Sequence, residues 1–235
     1  MPIKLPNCLA LLAIKPISLI EARMRKLLRT GLRFDWKVVT ITILSTLLLM
    51  VDYYHRLTPK AWGIVEWKAL DRTILYLVIP LLITLVIFRQ NPREYGFTLG
   101  DWRAGLPITI LAIILIAPVL WFVARGDSST QDYYKSQMSG LPWNTFLDLL
   151  GWEFFFRGWI LFGYARRFGP EALWLQAVPF ALAHVGKPEV ETLSTIFGGF
   201  AFGWVAWRTK SFVYPLLIHW FVASFTILVA AGVLG

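Results

Sequence analysis

The sequence predicts an all-α membrane protein: a polytopic helical bundle of about seven transmembrane helices behind a basic N-terminal segment. Composition is the first observation. Of 235 residues, 57% are hydrophobic and only 16% charged, where a soluble domain carries about 25% charged residues. The mean hydropathy is +0.60. Second, several apolar runs approach the ~20 residues needed to cross a bilayer. Third, these runs do not alternate as barrel strands do. An open sheet in lipid would leave backbone groups unpaired, which makes helices the default.

Residues 1–37 form a basic N-terminal segment, and residues 38–235 form the transmembrane domain. The apolar stretch at 8–14 is short, is interrupted by Lys15 and Pro16, and lacks a clear cleavage site, which argues against a signal peptide. The run "IEARMRKLLRTGLRF" is basic and partly amphipathic. It is expected to lie as a helix on the cytoplasmic membrane face. The one cysteine, Cys8, excludes an intramolecular disulfide and a multi-cysteine metal site.

Seven spans are expected, at about 38–53, 72–88, 105–124, 143–165, 171–186, 190–207 and 212–233. Turn formers and helix breakers separate them: Pro59, "NPREYG", "RGDSST", "RRFGPE", "VGKPE" and "RTKS". With the N-terminus in the cytoplasm, inside segments hold fifteen Lys and Arg and outside loops hold seven. That asymmetry predicts an N-in, C-out topology. The formal net charge of +9 then reflects basic loops that meet anionic headgroups. No recognition motif accompanies it, so nucleic acid is not expected as a partner. No internal repeat is visible, which argues against a transporter built from inverted halves.

Ionisable side chains inside spans are costly and mark functional sites by default. Glu153 and Arg157 lie in the fourth span, His184 near the end of the fifth, and His219 in the seventh. At ~1.5 Å rise per residue, Glu153 lies ~15 Å from the outer start of its span. His184 lies ~20 Å and His219 ~10 Å from the inner starts of theirs. All three fall within roughly 10 Å of one level near the midplane of a ~30 Å core.

Glu153 and Arg157 are four apart and share a helix face. The ion pair keeps Glu153 ionised despite burial, and an ionised carboxylate is a general base for water. Two imidazoles suit a divalent metal such as zinc, or hydrogen bonds to a developing oxyanion. The structural alternative is a Glu–Arg pair that only locks helices together. Phe154, Phe155, Phe156 and Trp152 read as lipid contact and core, whereas Phe180, four before His184, is kept as a supporting candidate. Gly199 and Gly203 have small-xxx-small spacing, which lets helices approach closely. Ser211 is expected to cap the last helix and Pro215 to lie early in it. Glu189 and Glu191 suit a helix N-terminus, and Glu191 is also a candidate supporting or catalytic carboxylate.

These residues resemble the CPBP membrane proteins (CAAX protease and bacteriocin-processing), which include the type II CAAX prenyl endopeptidases. Three family motifs appear in order over about residues 140–230. The Glu-Glu-x-x-x-Arg motif is met by "WEFFFR", Trp152 to Arg157. The Phe-x-x-x-His motif is "FALAH", Phe180 to His184, and the His-x-x-x-Asn/Asp motif is "HWFVA", His219 to Ala223. Between them, Gly199, Gly203, Ser211, Pro215 and His219 keep the family-like spacing. Two positions depart: Trp152 stands for the first Glu and Ala223 for the Asn or Asp.

The resemblance implies an intramembrane endopeptidase. In it Glu153, positioned by Arg157, activates water, while His184 and His219 bind a metal or stabilise the tetrahedral intermediate. The implied substrates are membrane-anchored: prenylated CAAX proteins, or bacteriocin precursors and surface proteins in bacteria. The short chain and basic N-terminus point to a bacterial plasma membrane. Trp152 and Ala223 support an alternative, a catalytically silent membrane scaffold or immunity protein of the same fold. A small transporter with a Glu–His proton relay is disfavoured by the missing repeat.

Overall fold

The computed structural model describes residues 31, 33–58, 61–62 and 65–234. Cys8 and most of the expected interfacial helix lie outside the described residues. Helix α1 spans Trp36–Tyr54. Its apolar run carries Thr40, Thr42 and Thr46, whose hydroxyls donate back to carbonyls one turn earlier at 2.8–2.9 Å. This satisfies polar groups within the helix, and Thr42 also bonds the Tyr164 hydroxyl at 2.8 Å. A short antiparallel pairing of Ala61–Trp62 with Val65–Glu66 leads into α2, Trp67–Ile87. Pro80 lacks an N–H and crowds the carbonyl of residue 76. The helix widens to π geometry over Thr73–Val78, just ahead of it.

Helix α3, Trp102–Gly126, starts where the Asp101 side chain accepts from the Ala104 amide. Asp127 ends it and caps the short α4, Ser128–Lys135. Helix α5 runs Trp143–Glu153, opens to π geometry over Phe154–Ile160, and closes over Leu161–Phe168. Every residue from 151 to 163 is buried, so this is the central helix. Helices α6, α7 and α8 span Ala172–Leu182, Glu189–Thr209 and Val213–Ala230.

The seven expected spans are all helical, and four are long and apolar enough to cross a membrane: α1, α2, α3 and α8. The fifth expected span, 171–186, is shortened. Helix α6 has 11 residues, ends at Leu182, and leaves His184 on the following turn. At 1.5 Å per residue it rises roughly 16 Å, half the thickness of a hydrocarbon core. Phe154, Phe155 and Phe156 are fully buried, so they are core and make no lipid contact. The outer face of α3, including Ile110, Ile114 and Phe122, is exposed and apolar.

Gly199 and Gly203 do hold α7 against α6. A Cβ at Gly199 would lie 3.0 Å from Ala177 and Phe180 side-chain atoms. The Gln176 amide donates to the Gly199 carbonyl across this seam at 2.7 Å. Ser211 is one residue outside the cap position, which is Phe212; its hydroxyl accepts from the Val213 amide and donates to the Thr98 carbonyl.

Polar cross-links define two ends of the bundle. At one, the basal end, Arg166 pairs with Glu94 and Arg208 with Asp101. At the other, the apical end, Arg72 joins α1, α2 and α5 by pairing with Asp52 and Asp148. The sequence places Arg72 at the boundary of an outside loop; the structure puts it on α2, where it clamps three helices.

Candidate active site

The π stretch of α5 begins directly after Glu153 and carries Arg157. Both side chains are fully buried. Arg157 Nη1 donates to Glu153 Oε1 at 3.2 Å. Its Nε and Nη2 have no hydrogen-bond partner among the described residues. The guanidinium instead lies 3.8 Å from the centre of the Phe180 ring and 5.2 Å from that of Phe202. Cation–π contact of this kind strengthens when both partners are desolvated.

Phe180 has a second task. Its carbonyl accepts from His184 Nδ1 at 2.7 Å. A carbonyl only accepts, so Nδ1 carries the proton and Nε2 of the neutral ring carries a lone pair. His219, on α8, makes the equivalent bond to a carboxylate: its Nδ1 lies 2.6 Å from Glu153 Oε1. An ionised Glu153 also only accepts, so His219 is held as the same tautomer. Glu153 Oε1 therefore serves both Arg157 and His219, while Oε2 is buried without a partner among the described residues.

A cavity of about 800 Å³ lies in front of this cluster. His184, His219, Phe180, Phe202 and Ala223 line it, and Glu153 and Arg157 stand behind that wall. The structure thus joins Glu153, Arg157 and His219 directly, and His184 through Phe180. Glu191 lines the same cavity but sits apart from this cluster. Its two oxygens are taken by Tyr134 Oη at 2.5 Å and Lys187 Nζ at 2.8 Å. Burial, then the Glu191 carboxylate, holds the Tyr134 hydroxyl well above the usual tyrosine range, so it stays a donor.

Trp152 fills the position of the first family Glu with an aromatic plate. Its ring lies 4.6 Å from the Arg72 guanidinium and 5.7 Å from the His184 ring. Sequence reasoning missed Phe202, Tyr134 and the Asp52–Arg72–Asp148 clamp. Asp148 precedes Trp152 by one helical turn, a spacing that marks it as facing the same neighbours. Phe202 and Tyr134 carry no comparable signal.

For a metal, the two free Nε2 atoms are suitable donors, and a carboxylate or carbonyl on the other ring nitrogen is the usual support for a ligating histidine. A catalytic zinc usually takes three protein ligands. Among the described residues no group of three or more His, Cys, Asp or Glu is placed to hold a metal ion. The donor set falls one short.

Comparison with known proteins adds the deciding observation. Residues 135–225 match the family model "Type II CAAX prenyl endopeptidase Rce1-like". This stretch is similar to the Rce1-like family. It contains α5 to α7 and most of α8, with Glu153, Arg157, His184 and His219 all inside it. The match supports the resemblance to the CPBP membrane proteins, a family of membrane-embedded peptidases. No curated protein and no solved structure matches the chain.

Proposed function

We propose that the protein is an intramembrane endopeptidase that hydrolyses a peptide bond in a membrane-anchored substrate, of CAAX type or from a bacteriocin or surface protein. It would span a bacterial plasma membrane seven times with its N-terminus in the cytoplasm. The observation that carries the chemistry is the 2.6 Å contact between His219 Nδ1 and Glu153 Oε1, placed in the wall of a cavity.

Glu153 orients His219 and stabilises the imidazolium that forms, as the acid of a carboxylate–histidine pair does. Arg157 pairs with that carboxylate. His219 Nε2 faces the cavity and takes a proton from water as its oxygen attacks the scissile carbonyl. His184 Nε2 accepts the water's other hydrogen and fixes its position. When the C–N bond breaks, the proton on His219 Nε2 passes to the leaving amine. The base role thus moves from Glu153, the sequence expectation, to the histidine it holds.

The test uses purified protein with membrane-anchored peptides. His219→Ala and His184→Ala are expected to abolish cleavage. Glu153→Gln, which holds the wrong tautomer, is expected to lower kcat by about two to four orders of magnitude. Cleavage that survives all three substitutions overturns this site. Divalent-metal chelation is expected to leave the rate unchanged; loss of activity on chelation and recovery with zinc would instead support a metal on His184 and His219. Absence of cleavage of every substrate, with a cellular phenotype unchanged in the same variants, would favour the silent scaffold.

A further inference from the structure

His184 reaches the cavity from a turn, not from a helix. Helix α6 ends at Leu182, and Gly186, with φ 98°, bends the chain toward α7. The torsion that rotates a histidine ring is soft and roughly two-fold. A half-turn of the imidazole would exchange Nδ1 with Cδ2 and Nε2 with Cε1. The Phe180 carbonyl would then meet a carbon, and the acceptor nitrogen would leave the water's position. One neutral hydrogen bond holds the ring in the productive orientation, and a single bond of this kind is a modest net restraint.

Two aromatic rings add to that restraint. Among the described residues, the His184 ring meets Phe180 at 4.5 Å, tilted by 55°, and Trp152 at 5.7 Å, near perpendicular at 74°. Phe180 is itself fixed by the Arg157 guanidinium over its ring. Trp152 is braced by the Arg72 guanidinium, 4.6 Å from its ring centre and tied to Asp52 and Asp148. Tyr76 and Phe156 close around the indole at 5.7 and 5.0 Å. The buried indole N–H has no hydrogen-bond partner among the described residues, although a buried tryptophan usually finds one. What the side chain supplies here is the wall of its ring, not a donor.

Resting on the peptidase reading above, we propose that Trp152 is a positioning residue for His184. Where the family motif carries its first carboxylate, this chain holds an aromatic wall that keeps the imidazole from turning. His184 Nδ1 stays on the Phe180 carbonyl, and Nε2 stays toward the water. Trp152 does not line the cavity, so it acts through His184 and not on the substrate. Its loss slows the chemical step and leaves substrate binding unchanged. The departure at residue 152 is then an exchange of roles: Glu153 alone supplies the carboxylate, and its neighbour steadies the second histidine.

The test uses the full-length protein in lipid nanodiscs. Two non-aromatic variants, Trp152→Met and Trp152→Leu, are compared with Trp152→Phe, which keeps a ring. The chain has three histidines, so nitrogen-15 histidine spectra, assigned with His184→Gln, read the His184 ring directly. The unsubstituted protein is expected to show the neutral Nδ1–H form alone. Trp152→Met and Trp152→Leu are expected to replace it with a mixture of the two tautomers, and Trp152→Phe to keep it. An unchanged His184 signal in either folded non-aromatic variant overturns the proposal. On membrane-anchored peptides, the same two variants are expected to lower kcat roughly ten- to a hundredfold. KM should stay within about twofold, since no binding contact is lost, and Trp152→Phe should recover most of the rate. A merely structural Trp152 would lower the melting temperature and leave the kcat of the folded protein unchanged, which overturns the proposal, as does a rise in KM at unchanged kcat. If the unsubstituted protein cleaves nothing, the peptidase reading falls and the tautomer spectra still decide the positioning. If it cleaves and the spectra do not change, the positioning alone falls.

Discussion

Arg157 shows how much a single buried side chain can carry. It meets Glu153 through one nitrogen and two aromatic faces through its plane. Removing it would leave Glu153 charged, buried and without its counter-ion. Arg157→Ala is therefore expected to lower stability by about 3–5 kcal/mol, measured as thermal unfolding in detergent. Arg157→Lys should recover little of this, because an ammonium lacks the planar face that stacks on Phe180. The Glu153–Arg157 pair was legible from its i, i+4 spacing, and His219 from its depth. Which ring nitrogen each histidine commits was not, since that depends on the Glu153 carboxylate and the Phe180 carbonyl arriving from other helices or turns.

Among the elements, α5 governs the rest, and its close packing against α2 depends on a missing side chain. A Cβ on Gly151 would lie 2.5 Å from the Arg72 carbonyl oxygen. Backbone cannot yield as a flexible side chain does. Gly151→Ala is expected to push α2 and α5 apart and to lower stability by about 1–3 kcal/mol, read from the same melting measurement. The glycines of α7 were legible from their spacing, because small-xxx-small depends on the helical repeat alone. The early end of α6 was not legible. The apolar run continues past Leu182, and only the turn that carries His184 back toward Trp152 and Phe180 marks the stop.

Across the whole molecule, the Arg72 clamp holds the apical ends of α1, α2 and α5 around the cavity's rim. Arg72→Ala would leave two partly buried carboxylates facing one another. It is expected to cost about 2 kcal/mol, more than Asp52→Ala, which leaves both Nη1 bonds to Asp148 intact. Comparing the two variants by urea or thermal unfolding in one detergent checks the order. By itself the sequence determined that the chain is helical and lives in a membrane, and which four ionisable residues lie inside its apolar runs. Those conclusions rest on local properties: apolar run length, the 3.6-residue repeat and the cost of charge in lipid. Only the tertiary structure decided that Glu153 stands behind His219, that Glu191 is engaged elsewhere, and that Trp152 stands against His184. Each of these requires knowing which helices are neighbours, and seven similar apolar runs do not encode that in their hydropathy.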